Sequence, residues 1–276
     1  MAIETVDSII QALGSNFTRF IIDKGGLGNQ TTGRNGSLWR VTSIPAQGSI
    51  PSTAEITTTA TLGSIPFTNQ IAPAKAYLGF ADYSAQIAGM ALIFCDRLAH
   101  QGGLVLNTTA SQTTNLPLNL ATLGVAADRI GATNFSEIQW YLEVYTDGGA
   151  TASNATINVT YDDDTTGDLN VQAVGGTLRL GNAIALNPLK PVNDKYIKGI
   201  NSVVLSASTG TAGSFGFTAV RELANVSNDM SYKRENFDWA RLGFPVIPND
   251  ACLVPMIICL SASTGVIKST GKIIYG

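Results

Sequence analysis

Glu137-Ile138-Gln139-Trp140-Tyr141-Leu142-Glu143-Val144-Tyr145-Thr146 decides the fold class. Ile138, Trp140, Leu142 and Val144 alternate with Gln139, Tyr141, Glu143 and Tyr145, the period of two that belongs to a strand with one face buried. On this reading Tyr141 and Tyr145 stand on the second, exposed face. There they could stack on sugars or bases, or lie under a neighbouring subunit.

Working outward, Asp147-Gly148-Gly149 reads as a hairpin-type connector to a strand over 156–161. Further strands are expected at 171–174, 197–206, 213–221, 253–261 and 264–275, and upstream at 37–44 and 55–62. Residues 85–99 form the most apolar run, and Gly89 with Gly102-Gly103 favours a buried strand there over a helix. Leu205-Ser206-Ala207-Ser208-Thr209-Gly210 returns as Leu260-Ser261-Ala262-Ser263-Thr264-Gly265. Each copy lies between apolar strands and reads as a hairpin whose glycine supplies positive φ. Many short strands, few helices and frequent Gly, Asn, Asp and Ser turns predict an all-β chain, a β-sandwich or jelly-roll-like domain.

The N-terminal quarter differs. Ile3, Val6, Ile9, Ile10, Leu13 and Phe17 recur at spacings of three and four, which predicts a short helix over 3–17 ended by Gly14 and Asn16. From 23 to 74, repeated Gly and Pro exclude long helices and read as an extended arm with a few strands. Gly48-Ser49-Ile50-Pro51 recurs as Gly63-Ser64-Ile65-Pro66, two similar bends. The expected organisation is therefore a helix and extended arm over 1–75 and a β-sandwich domain over 76–276.

Composition narrows function. The chain has 276 residues, 45% of them hydrophobic but only 13% charged, about half the ~25% usual in soluble proteins. Mean hydropathy is +0.17, so a sizeable core can form and charge-driven disorder is excluded. The net charge of −3 and the absence of a basic block argue against nucleic-acid binding. No apolar run reaches the length of a membrane helix. The opening Met1-Ala2-Ile3-Glu4-Thr5-Val6-Asp7 carries acids where a signal peptide needs Lys or Arg, so secretion by the usual route is not expected, and the Asn-x-Thr sequons carry no weight without it. Cys95, Cys252 and Cys259 form no CxxC pair and read as small buried hydrophobes of a reducing cytosol.

Few residues offer chemistry. His100 is the only histidine, which excludes a multi-histidine zinc site. No Gly-x-Ser-x-Gly elbow accompanies it, so a structural, hydrogen-bonded histidine at a strand end is expected. Asp162, Asp163 and Asp164, with Asp168, form the densest acidic cluster and a weak calcium candidate in what reads as a solvated turn. Gly25-Gly26-Leu27-Gly28 and Gly33-Arg34-Asn35-Gly36 lack the P-loop and dinucleotide patterns and read as flexible arm. No catalytic residue, cofactor or enzymatic activity is expected.

Four segments together resemble a family of tailed-bacteriophage structural proteins. They are Ser37-Leu38-Trp39-Arg40; Ala91-Leu92-Ile93-Phe94-Cys95-Asp96-Arg97-Leu98-Ala99-His100-Gln101-Gly102-Gly103-Leu104; Gln139-Trp140-Tyr141-Leu142-Glu143-Val144-Tyr145-Thr146; and Ser202-Val203-Val204-Leu205-Ser206-Ala207-Ser208-Thr209-Gly210-Thr211-Ala212-Gly213. The resemblance spans residues 37–225, and the Asp-Arg-Leu-x-His-x-Gly-Gly-Leu string is its most distinctive part. It implies a non-enzymatic, capsid-associated virion protein, and the leading expectation within that class is a cement or decoration protein made in the host bacterial cytoplasm. Its partners would be itself, as a homo-oligomer for which shell symmetry suggests a trimer, and the major capsid protein. Two other readings stand beside it. A major capsid protein would need a long spine helix that the sequence does not show after residue 17. A carbohydrate-binding fibre or tail β-sandwich would use Tyr141, Tyr145 or the acidic turn. Ile3, Val6, Ile10, Leu13, Phe17, Tyr141 and Tyr145 are the candidate assembly contacts, and scarcity of charge suits a surface to be buried between subunits.

Overall fold

In the computed structural model, which describes residues 2–176 and 178–276, the period-two segments become antiparallel strands. The order is α1 (Val6–Ser15), β1 (Phe17–Lys24), β2 (Asn35–Ser37), β3 (Ser43–Ile44), β4 (Glu55–Ile56), β5 (Ala76–Ala85), β6 (Ala91–Leu104), β7 (Leu118–Asn119), α2 (Leu120–Leu123), α3 (Ala127–Ile130), β8 (Ile138–Thr146) and β9 (Ala152–Tyr161). There follow β10 (Thr166–Asp168), β11 (Gln172–Gly175), β12 (Asn182–Ala185), β13 (Ile197–Leu205), β14 (Ser214–Ser227), β15 (Glu235–Asp238), β16 (Val246–Ile247), β17 (Leu253–Ile258) and β18 (Ile267–Tyr275).

Three sheets stack face to face, so the all-β, sandwich or jelly-roll-like class is the one found. One sheet runs β15-β5-β18-β1-β3, with β16 also on β5, and a second runs β10-β9-β13-β7, with β11 on β9. The third runs β14-β8-β12-β2-β17-β6-β4, and β14 also pairs with β6. That extra pairing closes six strands into a barrel and leaves β4 attached outside the ring. Closure removes the long unpaired edges that β14 and β6 would otherwise present.

The barrel's outward side chains build two cores. Trp140, Leu142, Val144, Phe215 and Phe217 pack with Ile157, Val159, Ile200 and Val203 of the β9–β13 sheet, and Trp140 Nε1 donates to the Ile197 carbonyl at 2.8 Å. Leu92, Phe94 and Ile257 pack with Phe20, Ile22, Leu78 and Ile273 of the β1–β5–β18 sheet. A third cluster, with Trp39, Ile93, Cys95, Tyr141, Tyr145, Val220, Val254 and Met256, fills the barrel itself. All three cysteines are buried and unpaired.

The N-terminal quarter is not a separable arm. Thr5 caps α1, its hydroxyl accepting from Ser8 N while Ser8 Oγ accepts from Thr5 N. At the far end Lys272 Nζ donates to the Leu13 carbonyl at 2.7 Å, placing a cation at the negative helix terminus. The helix stops before Phe17, which instead opens β1. That strand pairs with β18 along all eight of its residues, and β2 lies between β12 and β17 inside the barrel. The expected division into 1–75 and 76–276 is therefore corrected, because backbone hydrogen bonds join the two parts in two sheets. The strand expected over 37–44 breaks after Ser37, where Trp39 turns into the barrel, and that over 55–62 shrinks to β4.

The connectors also depart from the hairpin reading. β8 and β9 belong to different sheets, so Asp147-Gly148-Gly149 is a crossing between layers. Both copies of the repeated hexapeptide do the same work, linking β13 to β14 and β17 to β18 across sheets. In each, a buried threonine holds a neighbouring loop. Thr209 Oγ1 accepts from Gly149 N at 3.2 Å, and Thr264 Oγ1 accepts from Leu27 N at 2.8 Å. Gly210 and Gly265 follow with φ of +91° and +61°. Thr264→Val should strand the Leu27 amide and cost about 1–3 kcal/mol in urea unfolding. Thr264→Ser, which keeps the hydroxyl, should recover most of it.

Candidate functional site

Charge is scarce in this chain, so where it is buried matters. Asp96 and Arg97 are adjacent on β6, and strand alternation sends them to opposite faces. Asp96 points to α3, where its two oxygens accept from Arg129 Nε at 2.9 Å and Nη2 at 2.6 Å and the Cys252 amide adds a third bond at 2.9 Å. Arg129 also donates to the carbonyls of Thr57 and Arg97.

Arg97 points into the barrel. Its Nη2 lies 2.7 Å from Glu143 Oε2 and also reaches the Tyr145 and Thr218 hydroxyls at 3.1 and 3.0 Å. The guanidinium stands 4.4 Å from the centre of the Trp39 ring, a cation–π contact. Glu143 accepts from the Ser37 and Thr218 hydroxyls as well. Burial alone would raise the Glu143 carboxyl. The Arg97 charge and these hydrogen bonds outweigh it and hold the group below the usual carboxylate range.

His100 completes the cluster. Arg97 Nε donates to its Nδ1 at 3.1 Å, and its Nε2 lies 2.8 Å from Glu55 Oε1. Because a guanidinium only donates, Nδ1 must accept, which assigns the proton to Nε2 and makes His100 the donor to Glu55. Burial, with the adjacent Arg97 charge, holds the His100 pKa down to about 4. Between about pH 4 and 6.5 the unfolded chain binds a proton that the folded chain excludes, so stability is lost as pH falls through this window. The expected loss is on the order of 3 kcal/mol. His100→Gln, which can accept from Arg97 and donate to Glu55 without titrating, should flatten the pH dependence of the urea midpoint.

This constellation ties five strands, β2, β4, β6, β8 and β14, and the Trp39 segment together, and each charged member is engaged by a partner within the fold. Sequence reasoning missed it. The available signal was Asp96-Arg97 within the most apolar run and Glu143 within an alternating strand, since charges in buried strands require partners.

The assembly and metal candidates are scattered. Tyr141 and Tyr145, at 3% and 1% exposure, lie inside the barrel, which corrects their expected place on an outer face: closure turns that face inward. Neither can stack on a glycan or meet a subunit there. The four aspartates take separate partners: Asp162 accepts from Tyr196 N, Asp163 pairs with Lys195 at 2.8 Å, Asp164 with Lys198, and Asp168 with Asn158. They do not converge, and no group of three or more His, Cys, Asp or Glu among the described residues is placed to hold a metal ion.

The α1 candidates divide by helix face. Ile9 and Ala12 are buried against Ile274, with Ile3, Leu13 and Phe17 half-buried beside Tyr77, Trp239 and Phe244. Val6 and Ile10 remain 53% and 59% exposed, and Ile21 on β1 is 52% exposed.

No family model matches the chain, and no curated protein matches it. Among solved structures, it is similar to infectious bursal disease virus Gt strain at 12% identity and a TM-score of 0.17, covering 95% of this chain and 82% of that one. The Gx strain gives 9%, 0.20, 95% and 82%. The VP2 subviral particle of the same virus gives 12%, 0.15, 95% and 80%. These TM-scores are too low to define a common fold.

Proposed function

We propose that the chain is a non-enzymatic structural protein of a virion. Within that class we favour a capsid-associated, cement-type protein of a tailed phage, binding copies of itself and the major shell protein. The observation that carries this reading is the pair Val6 and Ile10, apolar and exposed on a helix whose opposite face is already docked. Low charge supports it, because few ions would need desolvation in an interface. The glycan-binding reading loses its two aromatic candidates to the barrel interior. The major-shell reading lacks its spine helix among the described residues, where the longest helix, α1, has 10 residues.

Val6→Ser with Ile10→Ser is expected to change folding stability by no more than about 0.5 kcal/mol, since both side chains are exposed. The same pair should weaken self-association in sedimentation velocity by at least about tenfold and reduce incorporation into particles. A wild-type protein that stays monomeric at high concentration and never copurifies with particles would overturn the proposal.

A further inference from the structure

The connection after β1 and the segment entering β12 face each other across a cleft of about 430 Å³ lined by Gly25, Gly26, Gly28, Arg40, Asp147 and Arg179, among others. Its two arginines are poorly neutralised. Arg40 is half-buried, its Nη1 donates to the Gly48 carbonyl, and its Nε is buried without a partner. No carboxylate among the described residues comes within ion-pair distance of it. Arg179 donates to the carbonyls of Gly148 and Leu178. Its nearest acid is Asp147, 3.9 Å away and 60% exposed. By contrast, in the larger cleft of about 890 Å³, Arg221 is already paired with Glu137 at 2.6 Å.

The glycine turn is held firmly while leaving donors free. Leu27 N is bound to Thr264 Oγ1 and Gln30 N to the Ala262 carbonyl, both at 2.8 Å, whereas the amides of Gly25, Gly26 and Gly28 have no acceptor among the described residues. The backbone of Gly265 lies 3.1 Å from where a Cβ on Gly26 would stand, so the turn is pressed onto the second hexapeptide. Two under-neutralised guanidinium groups beside unpaired backbone amides are the donor set that binds carboxylate and phosphate oxygens.

We propose that this cleft is an oxyanion-binding site, taking a phosphate or carboxylate group between Arg40, Arg179 and the 25–28 turn. The inference stands independently of the particle role. The oxygens could belong to a free ion or to a carboxylate carried by another molecule, and two titrations distinguish these sources. Sodium phosphate and sodium acetate are each added to the full chain and followed by amide NMR, against sodium chloride at equal ionic strength. Phosphate is expected to shift the Gly25, Gly26 and Gly28 amides saturably, and Arg40→Gln and Arg179→Gln are each expected to weaken that response by at least about tenfold. Saturation by phosphate alone supports a phosphate site, and saturation by acetate as well supports carboxylate recognition. Arg179, unlike Arg40, has no buried unpartnered nitrogen, so Arg179→Gln tests the site even if Arg40→Gln disturbs the fold. The proposal is overturned if neither anion differs from chloride, or if the folded Arg179→Gln protein responds as wild type does.

Discussion

Glu143→Ala is expected to destabilise the protein by about 3–5 kcal/mol in equilibrium urea unfolding, the cost of leaving a buried charge without its partner. Against a typical total of 5–15 kcal/mol, that loss brings the fold near its limit. The size follows from where Arg97 sits. Its Nη2 is 2.7 Å from Glu143, the whole side chain is buried, and Tyr145, Thr218 and His100 cannot supply a countercharge, His100 being neutral near pH 7. Glu143→Gln should fall between wild type and Glu143→Ala, because an amide still accepts from Arg97 and Thr218 while removing the charge. The decisive comparison is the pair Arg97→Met with Glu143→Leu, which removes both charges and fills similar volume. It should cost clearly less than either single loss. If the double substitution is as damaging as the sum of the singles, the ion pair is not what the barrel interior depends on.

Truncation separates the N-terminal elements with a still larger effect. Removing residues 2–16 deletes α1 and exposes part of Ile274, but leaves β1 in its sheet. The shortened protein is expected to fold and unfold cooperatively with a lowered midpoint. Removing residues 1–75 takes β1, with β3 beyond it, from the edge of β18, β2 from between β12 and β17, and Trp39 from the Arg97 guanidinium. The barrel is opened and the backbone groups of β18 and β17 lose their partners, so no cooperative unfolding transition should remain. Good amide dispersion and a cooperative transition in the 76–276 fragment would restore the detachable arm that composition suggests.

That arm illustrates what local sequence can hide. Gly and Pro density between 23 and 74 correctly excludes long helices, yet β2 needs only three residues to complete a barrel. Such a segment carries too little periodicity to be seen. The repeated hexapeptide was legible as a turn, with glycine at a left-handed position in both copies. That it crosses between sheets depends on which strands pair, and those lie far apart in the chain. Likewise, nothing in the exposed pattern of Gly25-Gly26-Leu27-Gly28 places Arg40 and Arg179 beside it.

By itself the sequence determined the β class, the strand over 138–146 and its apolar face, because a period of two is a local property of the chain. It also determined that few charges exist to be placed. The tertiary structure alone decided what the other face of that strand meets. β14 pairs with β8 on one side and β6 on the other, and this closure encloses Tyr141, Glu143 and Tyr145 with Arg97. Strand pairing is set by backbone hydrogen bonds between residues distant in sequence, whose energy does not depend on local composition. An alternating segment therefore announces a strand with one buried face, while only the closed ring makes both faces interior.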